Sequence, residues 1–386
     1  MHSVSSDTYA ALTTRYSNNI VRRFTIGGSD YSAFVTKWPK FKRAWNDIKP
    51  GDLAIKLSNV DKTFNFFRDT PTALRSDCSV QFGVGSEFIT IFSGKVDRVA
   101  FGDGPITVNI SDRFKQLSQR MVGTSAVPVQ YVSSNYLVSD LAWYLCTSYG
   151  GLSAVQSSSN PDIDYDSFLS WASVFSTDTV TVRAEFDGLK VNEALRILGR
   201  ITESAIFISN DRISFHRYSL VESLSQEFTP ANQGEFSLEL RDDDIVNKQI
   251  VNFDYSTASD YFTKSVFAVN TSSVNSFGLR EELEEDEKIW YVDSASALNY
   301  AQRITNFRDR PFDRIDIRVP AFGMLSEVGD SVTVVDSHLN FSAVFRVMAT
   351  EVDLHTATAR LELDRSQIKR GFTLDESYLD GADILS

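Results

Sequence analysis

Cysteine is scarce in this sequence, which contains only Cys78 and Cys146. The two residues lie far apart and form no Cys-x-x-Cys pair, which excludes a disulfide framework and a thiolate zinc site as organising features. We expect two free thiols that are buried as small apolar groups in a reducing compartment.

Long apolar runs are also missing. No stretch approaches the roughly 20 consecutive apolar residues that a membrane-spanning helix needs. The first seven residues, MHSVSSD, do not show the basic and then apolar layout of a signal peptide. We therefore expect the chain to be made and assembled in the cytoplasm of the cell that produces it.

Positive charge is in deficit, with 38 Lys and Arg against 51 Asp and Glu, a formal net charge of -13. A surface that grips nucleic acid needs a basic face, so this class of protein is disfavoured. An acidic surface suits a channel through which DNA slides without sticking. It also serves simply to keep a protein soluble, and the composition fits both interpretations.

Catalytic and cofactor-binding motifs are absent. The four histidines, His2, His216, His338 and His355, have no second histidine or cysteine at metal-ligand spacing. The sequence contains no Gly-x-Ser-x-Gly, no Gly-x-Gly-x-x-Gly and no phosphate-binding loop. We therefore predict no catalytic, cofactor-binding or metal-binding residues, no cofactor, and no enzymatic activity.

One acidic stretch is a candidate ion site. Asp162, Asp164 and Asp166 alternate along the chain, which brings three carboxylates near each other. An EF-hand calcium loop would need glycine at its sixth position and glutamate at its twelfth, but Ser167 and Ser173 stand there. Capping of the following helix by Asp164 or Asp166 explains the same residues without an ion.

The length of 386 residues, 42% of them hydrophobic and 23% charged, is typical of a globular protein with two to four domains. Apolar and polar residues alternate in short segments through 20–125, separated by glycine or proline turns such as 102–104. The segments 88–92 and 94–101 are predicted as separate strands. This region predicts a barrel-like or sandwich β-domain, preceded by an N-terminal arm over 1–19.

The spacing of apolar residues becomes helical within 126–235. Val191, Leu195 and Leu198 fall on one face of an amphipathic helix over 191–201. Two alternating segments follow and are joined by Asn210-Asp211, which predicts a two-residue hairpin. We predict a mixed α/β insertion in this region.

Strand patterns return in 236–364. The cap-type residue Asp293 begins a predicted helix over 293–307. Segments at 315–319, 327–335, 341–348 and 355–363 are predicted as strands of a second small antiparallel β-unit. The acidic run 281–287 is predicted to be a solvated loop because its like charges repel, with the lining of a channel as the alternative. A polar and acidic tail is predicted over 365–386.

Several of these segments resemble known proteins. The helix segment AQR at 301–303, the turn and strand VGDSVTV at 328–334 and the strand ARLEL at 359–363 resemble the C-terminal part of the baseplate hub and tail-tip hub proteins of tailed phages. The loop 160–164, the helix 191–201 and the hairpin after it resemble the middle of the same proteins. The similarity is one of arrangement and extends over 20–364.

The resemblance implies a mainly β protein with an α+β insertion, in which two barrel-like antiparallel β-domains, 20–125 and 236–364, flank a mixed α/β domain, 126–235. In such hubs three copies place six barrels around one axis and match a sixfold tail tube. The implied partners are two further copies in a homotrimer, the tail tube or distal tail protein, a tail fibre or spike protein, DNA in passage through the channel, and the host envelope during infection. The implied location is the virion, at the tail tip.

Two other classes of protein stay open. A tail-associated cell-wall hydrolase or peptidase would carry an appended domain with a metal or cysteine-histidine site. A carbohydrate-binding host-attachment protein would bind glycans as an isolated chain.

Overall fold

The structure is a computed structural model that describes residues 4–13, 20–45, 48–49, 51–177, 180–209, 211–217, 224–336 and 341–365. Strands account for 46% and helices for 27%, and two curled half-barrel sheets dominate, so the mainly β fold class is confirmed. His2, Asn210 and His338 lie outside the described residues, as do 1–3 and 14–19 of the predicted N-terminal arm and 366–386 of the predicted tail.

The first curled sheet is built from alternating strands whose inner side chains, such as Phe24, Val80 and Phe82, are fully buried. Its strand order is β2-β1-β6-β7-β8-β5-β3. The elements of this part of the chain are α1 (Ser6–Thr13), β1 (Ile20–Ile26), β2 (Ser29–Asp30), β3 (Val35–Lys37), β4 (Lys40–Ala44), β5 (Asp52–Ser58), α2 (Phe66–Asp69), β6 (Asp77–Val84), β7 (Glu87–Phe101), β8 (Pro105–Ser111) and α3 (Arg113–Ser118).

The prediction of separate strands at 88–92 and 94–101 is wrong, because both belong to the continuous strand β7. Gly94 does not break this strand. A Cβ at Gly94 would lie 2.3 Å from the backbone oxygen of Ser111 on β8, so glycine is needed there for the close approach of two strands.

The middle of the chain folds as the predicted mixture of helices and strands. On the helix Val191–Ile201 the residues Val191, Leu195 and Leu198 are all fully buried, and the strands Ser204–Ser209 and Arg212–Arg217 form the predicted hairpin, with Ser209 opposite Arg212. The elements are β9 (Met121–Val122), β10 (Val129–Leu137), α4 (Val138–Tyr144), α5 (Tyr165–Thr177), β11 (Thr181–Phe186), β12 (Leu189–Lys190), α6 (Val191–Ile201), β13 (Ser204–Ser209) and β14 (Arg212–Arg217).

The last third of the chain contains the second curled sheet. The predicted helix cap is confirmed, because the Ser296 amide donates a 2.8 Å hydrogen bond to the carboxylate of Asp293, directly before the helix Ser294–Phe307. The elements are β15 (Leu224–Phe228), β16 (Phe236–Arg241), β17 (Lys248–Ser256), β18 (Tyr261–Val269), α7 (Thr271–Phe277), β19 (Glu281–Glu284), β20 (Ile289–Tyr291), α8 (Ser294–Phe307), β21 (Phe312–Pro320), β22 (Ser331–Asp336), β23 (Phe341–Asp353) and β24 (Thr358–Arg365).

The two curled sheets share the order of their four central strands. The second sheet runs β15-β22-β23-β24-β21-β16, and all of its pairs are antiparallel except β15 with β22. In the first sheet, β6, β7 and β8 form a meander, and the strand before them in the chain, β5, pairs with β8. In the second sheet, β22, β23 and β24 form the corresponding meander. The strand before it, β21, pairs with β24. The two sheets are therefore comparable units built from separate parts of the chain.

Strand β4 joins the two sheets. It precedes β5 in the chain, yet it pairs antiparallel with β23 of the second sheet, with Phe41 opposite Val352. The Phe41 ring packs 5.7 Å from the ring of Phe92 on the first sheet. Side chains of both sheets form a single hydrophobic cluster, so the two units are held together by a common core.

A second hydrophobic cluster is formed by the insertion together with later parts of the chain. It contains Leu195 of α6, Val251 of β17, and Ala297 and Ala301 of α8. The range 236–364 therefore supplies side chains to both clusters. Helix α8 packs on β17 and β18 and belongs to this second cluster, although the sequence pattern places it with the second curled sheet.

The prediction of a solvated loop over 281–287 is wrong for its first four residues, which form β19 and pair in parallel with β17. Arginines from distant helices or their ends offset the like-charge repulsion. Arg308 lies 2.6 Å from Glu282, and Arg200 lies 3.1 Å from Glu284. The alternation of the run also leaves Leu283 on the opposite face of the strand from these two glutamates.

Candidate assembly surface

The three carboxylates of the candidate ion site do not converge. Asp162 forms an ion pair with Arg113 at 2.5 Å and also accepts a 2.7 Å hydrogen bond from the Ser153 amide. Asp164 accepts a hydrogen bond of 3.5 Å from the Ser167 amide in the first turn of α5, which fits the capping alternative. Each carboxylate of this pair thus has a structural partner of its own.

The reactive side chains are also scattered. Cys78 and Cys146 are buried free thiols, as predicted, and burial raises the pKa of each to about 12. In the part of the chain that the structure describes, no group of three or more His, Cys, Asp or Glu side chains could hold a metal ion. No helix of that part is long and apolar enough to cross a membrane.

Ion pairs join neighbouring strands on the polar face of the second curled sheet. Lys40 on β4 lies 2.8 Å from Asp353 on β23, and Arg360 on β24 donates to both oxygens of Asp316 on β21, at 2.7 and 2.9 Å. These side chains line a cleft of about 360 Å³. The cleft offers paired charges rather than the basic patch that holds nucleic acid.

Four tyrosines of the insertion come together on its surface, although no sequence pattern predicts that they meet. Tyr131 packs 5.0 Å from Tyr136 and 6.2 Å from Tyr144, and its hydroxyl donates to that of Tyr149 at 3.2 Å. Burial raises the pKa of Tyr131. Because three of the rings are half-buried against each other, only Tyr144, 42% exposed, offers much of its ring to solvent.

The three-stranded sheet β18-β17-β19 has an open face with an apolar row. Phe267, Ile250 and Leu283 occupy matching positions on the three strands, so they lie side by side across the sheet. Phe267 is 62% and Leu283 is 50% exposed, and Val269 next to them is 42% exposed. An exposed apolar group of this kind is typical of an interaction surface. The individual residues are visible in the sequence, but the row depends on strand register.

A buried carboxylate lies on the other face of the same sheet. Burial, together with the nearby Asp286 and Glu282, raises the pKa of Glu284 to about 7, although Arg200 opposes this rise. Arg200 lies 3.1 Å from Glu284 Oε1 without hydrogen-bonding geometry, and it lies closer, at 2.7 Å, to Asp286. The ion pair therefore compensates only part of the cost of burying Glu284.

Two comparable half-barrel sheets on one core, with an α/β insertion between them, define the class of this fold. No protein-family model and no curated protein matches the chain. Three solved structures of tail proteins share the fold. The tail protein from Neisseria meningitidis has a TM-score of 0.57 and 12% identity, with 91% of this chain and 98% of that chain covered.

The second of these structures is the 43 kDa tail protein of prophage MuSo2 from Shewanella oneidensis, with a TM-score of 0.55, 13% identity, and coverage of 90% of this chain and 99% of that chain. The third is prophage tail protein gp18 from Listeria monocytogenes, with a TM-score of 0.54, 10% identity, and coverage of 89% and 94%. The chain therefore has the fold of these phage tail proteins along nearly all of its described length.

Proposed function

We propose that the chain is a structural component of a phage or phage-like tail and acts there as the hub at the distal end. The observation that carries this proposal is the shared strand order of the two curled sheets. A subunit with two comparable units can place both in one ring, so three copies supply six positions. Such a ring matches a tube with sixfold symmetry.

In this role the homotrimer joins the distal tail tube to the host-recognition apparatus. The curled sheets face the tube or the distal tail protein, while the insertion points toward the tip and contacts a fibre or spike protein. The net charge of -13 lets DNA pass through the centre of the ring without being held by it. The protein is assembled in the host cytoplasm, resides at the tail tip of the virion and reaches the host envelope during infection.

In this role the chain needs no catalytic residue. Opening of the ring during DNA passage requires subunit contacts with two stable arrangements rather than a reactive side chain. A wall hydrolase or peptidase would instead carry an appended domain with a metal or cysteine-histidine site, and a glycan-binding attachment protein would bind glycans as an isolated chain.

Native mass spectrometry of the full chain, alone and mixed with the tail-tube protein of the same particle, tests the proposal. We expect a homotrimer that binds one tube ring, with three copies of this chain for each six tube subunits. A monomer that never binds tail proteins, or a monomer that binds or cleaves envelope glycans, would contradict it.

A further inference from the structure

The open face of the sheet β18-β17-β19 has no covering element among the described residues. Helix α8 packs on the opposite face, where Val251, Phe253 and Ala268 are buried. Two apolar residues of the open row, Phe267 and Leu283, are at least half exposed. A partner that covered these side chains would gain their burial energy.

The border of this face is acidic on the side of β19. Glu285 and Glu287 follow β19, and both are exposed. Glu285 accepts a 2.8 Å hydrogen bond from Asn252, but neither carboxylate forms an ion pair within the described ranges. A partner that covers the apolar row should therefore bring positive charge to this border.

The same chain carries a matching positive edge on its first curled sheet. Lys37 on the short edge strand β3 lies directly opposite Lys56 on β5, and both side chains are exposed. Neither lysine has an ion-pair partner among the residues that the structure describes. Like charges directly opposite each other destabilise a strand pair, so the two lysines suit an edge that meets negative charge from outside.

We propose that the open face is a contact between neighbouring copies of this chain. The next copy covers Phe267, Ile250 and Leu283, and its Lys37 and Lys56 meet Glu285 and Glu287 at the border. Two different surfaces of the chain are used, so the contact is heterologous, and in the proposed homotrimer a threefold rotation closes it into a ring. The inference rests on the proposed homotrimer and names the surfaces that hold it together.

Substitution of the apolar row gives the first test. The double variant Phe267→Ser, Leu283→Ser removes the exposed apolar groups without touching the buried face. The matched control is Leu169→Ser, since Leu169 on α5 is 48% exposed and lies outside the row. We expect the row variant to raise the concentration needed for assembly about tenfold or more, measured by sedimentation equilibrium, and the control to leave it unchanged.

Charge reversal gives the second test. Lys37→Glu with Lys56→Glu should weaken assembly, and so should Glu285→Lys with Glu287→Lys. All four changes in one chain restore opposite charges across the contact and should recover most of the lost affinity. The single-side effects should shrink as salt increases, because exposed charges are screened over roughly 8 Å at physiological ionic strength.

Circular dichroism of each variant verifies that it folds. If the unaltered chain forms trimers and both the row variant and the charge variants remain trimeric, the assigned contact is wrong while the proposed ring stands. If the unaltered chain stays monomeric at all concentrations, the proposed homotrimer fails and this inference fails with it.

Discussion

The buried carboxylate of Glu284 should make the protein less stable as pH rises. Its side chain is only 11% exposed, and burial raises its pKa from the ordinary 4.5 to about 7. A pKa raised in the folded state means that the protonated form favours folding. This contribution is complete below pH 4.5 and is lost as the pH rises through 7. The difference in pKa corresponds to about 3 kcal/mol in the free energy of unfolding.

Glu284→Gln isolates this effect, because glutamine stays neutral at every pH. We expect the variant to match or be slightly less stable than the unaltered protein at pH 5 and to be about 2–3 kcal/mol more stable at pH 8. The difference should grow between pH 5 and pH 7 and change little above pH 7, since by then the carboxylate is ionised in both the folded and the unfolded state. Urea unfolding at pH 5, 6, 7 and 8 measures both proteins.

The comparison cancels other titrations. Burial also raises the pKa of Asp112 to about 7, but this residue is present in both proteins and shifts both stability curves equally. Equal differences between the variant and the unaltered protein at pH 5 and pH 8 would refute the reasoning. Such a result would mean that Arg200 and Tyr300, whose hydroxyl lies 3.4 Å from the Glu284 carboxylate, fully compensate its burial.

Three further predictions concern the fold. Gly94→Ala should lower the free energy of unfolding by about 2 kcal/mol or more, because the new Cβ would lie 2.3 Å from a backbone oxygen. Urea unfolding measures the loss, and a loss below about 0.5 kcal/mol would contradict the prediction. Phe41→Ala should lower the free energy of unfolding by about 3 kcal/mol, measured by urea unfolding, and both curled sheets should still unfold in one transition. Two separate unfolding transitions in the unaltered protein would contradict the shared core. Cys78 and Cys146 should resist a thiol reagent at pH 8 until urea unfolds the chain, and rapid labelling of the native protein would contradict their burial.

Local features of the fold could be predicted because their signals lie within a few residues. The cap at Asp293, the amphipathic helix that buries Leu195 and Leu198, and the hairpin between β13 and β14 each depend on spacing and turn chemistry in one short segment. The mainly β class follows from many such segments added together.

Features that depend on distant partners could not be predicted. Strand β4 has one aromatic residue, Phe41, among basic neighbours, and nothing in its sequence indicates that it pairs with β23 rather than with its own sheet. The acidic strand β19 exists because Arg200 and Arg308 reach it from other parts of the chain. Propensity alone favours a loop for that run, and tertiary ion pairs override it.

The apolar row on the sheet β18-β17-β19 could not be predicted from the sequence either. Phe267, Ile250 and Leu283 are unremarkable in the sequence, since each belongs to a different segment with its own pattern. They become a row only through the register of β17 with β18 and with β19. The shared strand order of the two curled sheets is likewise a property of pairing, and the printed sequence carries no repeat that reveals it.

Electron microscopy of the purified assembly, viewed down its axis, tests the central claim most directly. If the two comparable sheets of each chain give a trimer approximate sixfold symmetry, the averaged image should show six similar densities in one ring. Three smaller densities, from the insertions, should lie displaced along the axis. A ring with only three such densities, or two kinds of density at different heights, would contradict the account.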